Sequence, residues 1–149
     1  MTTAAAQQTG AAHVRLSWTV GDSWQSDDTW AVLITGEPVD LTEGGWTVQA
    51  QARSRRDADV VLASWSSTAT DPTTEGDVII GSVDLELGDD TVTTSTVRLA
   101  HSATAATTWG PFTGLIDCEI TRRDTPDGPI VENYTVFAGT AIAEPDVAR

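Results

Sequence analysis

Residues 36–55 read Gly-Glu-Pro-Val-Asp-Leu-Thr-Glu-Gly-Gly-Trp-Thr-Val-Gln-Ala-Gln-Ala-Arg-Ser-Arg. In the second half Trp46, Val48, Ala50 and Ala52 alternate with Thr47, Gln49, Gln51 and Arg53. A period of two puts one set of side chains in a core and the other in water, so the stretch predicts a half-buried strand. The first half is turn chemistry. Gly36, Pro38 and the Gly44-Gly45 pair supply positive φ and a fixed φ, so the chain reverses around residues 39–41 and enters the long strand from a corner.

Similar alternation recurs on both sides of this strand. Residues 13–20 place Val14, Leu16 and Trp18 on one face, and residues 29–35 predict a second strand ending at the Gly36 corner. Arg55, Arg56, Asp57, Ala58 and Asp59 make a charged hairpin tip before a strand over 60–65, and 66–77 is a polar loop. Residues 78–87 predict a strand with Val83, Leu85 and Leu87 inward, Asp84 and Glu86 outward, and a bulge or close approach at Gly81. After a turn at 88–90, the Thr-rich run 91–99 reads as a sheet edge because it is weakly hydrophobic. Residues 102–108 predict a helical turn or two capped by Ser102. Residues 115–122 alternate cleanly, with Ile116, Cys118 and Ile120 on one face and Asp117, Glu119 and Thr121 on the other. Pro126-Asp127-Gly128 turns this strand into a partner over 130–138, which Gly139 ends before a last short strand at 140–143.

About eight strands at intervals of roughly ten residues predict one all-β domain, a sandwich or barrel of antiparallel strands, over residues 13–149. Its expected core is Trp18, Val32, Trp46, Val48, Val83, Leu85, Ile116 and Ile120. Residues 1–12, rich in Thr, Ala and Gln, form a short N-terminal arm with too little apolar content to order itself.

The 149 residues carry 22 acidic and 8 basic side chains, a net charge of −14, and every basic residue is Arg. So negative a surface repels phosphate backbones, which argues against nucleic acid as a partner. No run approaches the roughly 18 apolar residues of a membrane span, and the N-terminus lacks the basic start and apolar run of a signal peptide. With one cysteine, Cys118, there is no internal disulfide and no Cys-based zinc site.

The carboxylate pairs Asp84 with Glu86 and Asp117 with Glu119 sit two apart on outward strand faces, where they solvate a sheet rather than divide acid and base roles. Asp89-Asp90 and Asp124 with Asp127 lie in turns without the spaced pattern of a calcium loop. Cys118 reads as a small buried hydrophobe, and His13 and His101 as separate surface or interface residues. No catalytic site, metal site or cofactor is therefore expected. The six Trp stand out, because Trp concentrates at protein interfaces and on sugar-stacking platforms. Trp24, Trp65 and Trp109 are the candidate contact residues, together with Thr2, Gln7 and Gln8 of the arm.

The order Gly-x-Pro-Val-Asp-Leu-Thr, then Gly-Trp-Thr-Val-x-Ala-Gln-x-Arg, resembles the immunoglobulin-like domains of tailed-phage baseplate and minor tail proteins, the baseplate upper protein N-terminal type. Gly21-Asp22-Ser23-Trp24, Gly81-Ser82-Val83-Asp84-Leu85, Asp117-Cys118-Glu119-Ile120-Thr121 and Gly139-Thr140-Ala141-Ile142 resemble further pieces of that pattern, in order. The resemblance implies an immunoglobulin-like antiparallel β-sandwich and a non-enzymatic virion protein, a minor tail or baseplate subunit made in the bacterial cytoplasm. Members of that family often continue into receptor-facing domains, whereas this sequence ends soon after its closing strand, which points to an adaptor role. Its implied partners are other phage structural proteins and copies of itself at threefold or sixfold sites, met through the arm and the 91–99 edge. A capsid decoration protein of the same fold and a carbohydrate-binding sandwich contacting host-wall sugars are the alternatives.

Overall fold

The computed structural model describes residues 12–146. Strands take 59% of them and helix 5%, so the chain is all-β. The elements are β1 (Ala12–Thr19), β2 (Trp24–Gln25), β3 (Trp30–Ala31), β4 (Leu33–Ile34), β5 (Glu37–Pro38), β6 (Trp46–Arg53), β7 (Ala63–Ser66), β8 (Gly76–Leu87), β9 (Asp90–His101), α1 (Ala103–Trp109), β10 (Phe112–Arg123) and β11 (Ile130–Glu144). All the strands but those of the small β4–β5 hairpin belong to one sheet, ordered β1-β11-β10-β6-β7-β8-β9-β2, with β3 also on β9. The sheet curls until it nearly closes. Its two ends meet across the core, where the Trp30 ring lies 4.3 Å from that of Phe137, centroid to centroid.

Two pairings depart from the expected antiparallel arrangement. β1 runs parallel to β11 over eight residue pairs, and β7 meets β8 in parallel over two, Trp65 with Gly76 and Ser66 with Asp77. The sheet is therefore mixed.

β6 and β10 form the floor of the core and behave as their alternation dictates. Val48, Ala50 and Ala52 are buried opposite Ile120, Cys118 and Ile116 in an antiparallel ladder without a shift. Trp46, at the mouth, is half-buried against Tyr134. Ser102 caps α1 as expected, its hydroxyl accepting a hydrogen bond from the Ala105 N–H at 3.0 Å.

Elsewhere the structure corrects the sequence reading. The 29–35 strand is two short pieces, β3 and β4, and the strand expected from residue 60 begins only at Ala63, leaving Val60 68% exposed. On β8 the core-facing phase is that of Val78 and Ile80, which turns Val83, Leu85 and Leu87 to the opposite face. Val83 is 37% and Leu87 40% exposed, and only Leu85 finds a small patch on Ala31 and Leu33. No residue between 81 and 93 is buried, so the far half of the β8–β9 hairpin is largely open to solvent. Gly81 makes no bulge, since the β8–β9 register runs unbroken from Leu87–Asp90 to Asp77–Ala100.

The 91–99 strand is not a free edge either. From Ser95 to His101 its outer side is taken by β2, β3 and the segment after β5, and the Ser95 N–H donates to the Val39 carbonyl at 2.9 Å. Its hydroxyls serve the crossing chain. Thr94 Oγ1 donates to the Val32 carbonyl and accepts from the Val39 N–H, while Ser95 Oγ accepts from the Leu41 N–H. Buried Thr and Ser here satisfy backbone groups that an apolar side chain would leave unpaired.

Gly139 does not end a strand; β11 continues through it to Glu144. A Cβ at this position would fall on the carbonyl oxygen of Val14, so glycine is what lets β1 lie close against β11. No helix among the described residues is long and apolar enough to cross a membrane. Replacing Gly139 with Val should lower the unfolding free energy by at least about 2 kcal/mol, because backbone on both strands must move. Urea titration followed by Trp fluorescence measures it, and an unchanged midpoint would contradict the close β1–β11 approach.

Candidate functional site

The three candidate Trp residues come together in one cluster. Trp65 on β7 is 0% exposed, while Trp24 on β2 and Trp109 at the end of α1 are half-buried. They surround Trp18 of β1 and His101 of β9. Trp18 lies 5.1 Å from Trp24, 5.6 Å from Trp65, 6.2 Å from Trp109 and 5.8 Å from Phe112, mostly edge to face. His101 stacks on Trp24 at 5.1 Å and meets Trp109 edge-on at 4.8 Å. The Trp109 indole N–H is tied to the Thr74 carbonyl at 3.0 Å. Such offset and edge-on pairs add to the large area each ring buries, so the cluster is packing that ties five strands and the helix together. Trp65 has no face to offer a partner. Thr2, Gln7 and Gln8 lie outside the described residues.

His101, expected on the surface, is 5% exposed at the centre of this cluster. Its Nδ1 accepts a hydrogen bond from the Trp65 indole at 3.4 Å, which places the proton on Nε2. Burial holds its pKa down to about 4, since the rings around it cannot solvate an imidazolium. Nothing in the sequence near His101 signals this; its surroundings come from β1, β2, β7 and α1.

The outer face of the sheet carries the polar groups. A shallow groove of about 740 Å³ runs across β1, β11, β10 and β6, lined among others by His13, Gln49, Gln51, Arg53, Asp117 and Glu119. Arg53 is already engaged, donating to the Gln51 side chain at 2.7 Å and the Ala58 carbonyl at 3.2 Å. Asp117 is exposed and Glu119 half-buried on one face of β10, the solvated arrangement expected of them. Cys118 between them is fully buried, and its thiol is pushed far up, by burial first and by the two neighbouring carboxylates second. A thiol held neutral in this way is a poor nucleophile.

A second cleft, about 300 Å³, lies where the ends of the sheet approach, between residues 31–35 and 133–136 above Ile120. Beside it the Glu132 carboxylate accepts hydrogen bonds from the Tyr134 hydroxyl, at 2.7 Å, and from Arg122. Both hold its pKa below the usual carboxylate range. Among the described residues no three His, Cys, Asp or Glu side chains converge as a metal site would require.

No protein-family model and no curated protein matches this sequence.

The His101 environment makes stability depend on pH. Its folded pKa is depressed from 6.5 to about 4, so below pH 6.5 the unfolded chain takes up a proton that the folded one refuses. Stability should therefore be full above about pH 6.5 and fall as pH drops toward 4, by up to about 3 kcal/mol. Urea midpoints between pH 7 and pH 5 measure the slope. His101→Gln, which keeps an acceptor for Trp65 but does not titrate, should flatten it, and an unchanged slope would remove His101 as its source.

Proposed function

We propose that the chain is a non-enzymatic structural protein of a tailed-phage particle, a minor tail or baseplate subunit that joins other phage proteins by surface contact. The motif order around residues 36–55 supports this reading. The observation that carries the contact role is the use made of the aromatic residues: every one of the six Trp is packed against another ring of the same chain. What remains on the surface is sheet edge, an acidic hairpin and a polar groove. These suit protein contacts better than the aromatic platform of a sugar-binding sandwich.

In this reading the curled sheet is an immunoglobulin-like sandwich. One layer is β1-β11-β10-β6-β7, and the other is β8-β9 with β2 and β3. The protein is made in the bacterial cytoplasm and carried in the virion, in copies at threefold or sixfold positions, with the arm at residues 1–12 among its contacts. A capsid decoration protein would share all of these features except its place on the particle.

Mass spectrometry of purified particles, with antibody labelling in electron microscopy, tests the proposal. The expected result is a stoichiometric component located at the tail tip. Label on the head would make it a decoration protein, and absence from particles would overturn the virion role. Titration with host-wall glycans should leave Trp fluorescence unchanged, whereas a saturating change would favour the sugar-binding alternative.

A further inference from the structure

Beyond Asp77, where its pairing with β7 stops, β8 has a strand partner only on its β9 side among the described residues. The turn at Gly88-Asp89 makes Leu87 and Asp90 the closing hydrogen-bonded pair, and the unbroken register carries that alternation down the hairpin. Backbone N–H and C=O groups of Ile80, Ser82, Asp84 and Glu86 therefore point away from β9, into an open edge. A long exposed edge of this kind is a template for another strand.

The side chains specify which strand fits. On one face of β8 lie Ile79, Val83, Leu85 and Leu87, all at least partly exposed; on the other lie Ser82, Asp84 and Glu86, all exposed. A strand added to the edge continues both faces, so it must alternate apolar residues with residues suited to Asp84 and Glu86. Charge decides the second set. Between residues 57 and 97 the sequence holds nine Asp and Glu and no Arg, Lys or His. A second copy pairing through its own β8 would bring like charges together, which disfavours self-association at this edge.

We infer that the β8 edge is a strand-addition site for an extended segment of a different protein in which apolar residues alternate with Arg or Lys. The inference deepens the contact reading by naming the surface and the chemistry of its partner. Main-chain hydrogen bonds supply attachment, the apolar stripe covers Val83, Leu85 and Leu87, and the cations meet Asp84 and Glu86.

The test uses the isotopically labelled full chain and a synthetic peptide of about ten residues alternating Val with Arg, the length of the open edge. Binding should shift the amide resonances of residues 78–86 and slow their hydrogen exchange, and it should weaken as salt rises. A peptide with Glu in place of Arg should bind at least about tenfold more weakly. Ser82→Pro removes one edge-facing N–H and leaves the β9 ladder intact, so it should abolish binding. If that variant does not fold, the double variant Asp84→Lys with Glu86→Lys, at exposed positions, should instead prefer the Glu peptide. Shifts mapping elsewhere, equal binding of both peptides, or unchanged affinity in Ser82→Pro would overturn the inference. So would self-association that Ser82→Pro abolishes, since it would assign the edge to a second copy. Because protein and peptide are purified, this result is independent of whether the chain is found in phage particles.

Discussion

Among the described residues, strand pairing joins the two halves of the sheet at one place, where the Trp65 ring lies over Gly76. Only two residue pairs connect β7 to β8, and a Cβ at position 76 would fall on the Trp65 indole. So short a ladder holds little by hydrogen bonding, so the join depends on side-chain packing around it. Trp65 supplies that packing through Trp18, Trp109 and His101, which reach it from β1, α1 and β9. The neutral state of His101 and the missing side chain at Gly76 are two conditions of the same junction.

Strands whose alternation is unambiguous were legible from sequence. β6 and β10 each carry one apolar and one polar phase, and residues two apart on a strand share a face, so core and surface followed directly. β8 was not legible, because it has apolar residues in both phases: Val78 and Ile80 in one, Ile79, Val83, Leu85 and Leu87 in the other. Which phase is buried depends on what packs against the strand, and burial of the core-facing phase stops at Ile80. Gly139 is similar. A glycine in a strand signals either a break or a close neighbour, and the neighbour here is more than a hundred residues away in sequence. The Trp cluster was hidden for the same reason, since its members lie on six separate elements and meet only in the folded chain. Thr94 and Ser95 misled through composition, as their hydroxyls look like solvent exposure but bond the backbone of residues 32–41.

Charge is distributed as unevenly as apolar surface. Three of the Arg side chains are spent locally, Arg55 on Asp57, Arg122 on Asp124 and Glu132, and Arg123 on the Gly128 carbonyl, where they fix the tips of two hairpins. Exposed pairs of this kind contribute little to stability but set the shape of a loop. The far half of the β8–β9 hairpin, residues 81–97, holds no cation, so its field reaches solvent without local compensation and weakens only over the Debye length.

The parallel β1–β11 pair gives the fold a mechanical character. Ala12 lies beside Phe137 and Thr19 beside Glu144, so tension applied through residue 12 and residue 144 pulls the two strands along their axes in opposite directions. Eight residue pairs then carry the load together in shear, whereas a hairpin pulled from its open end loses its bonds one at a time. Glycine at position 139 lets the two strands seat closely, so the clamp at one end of the sheet is also the element that resists extension of the domain.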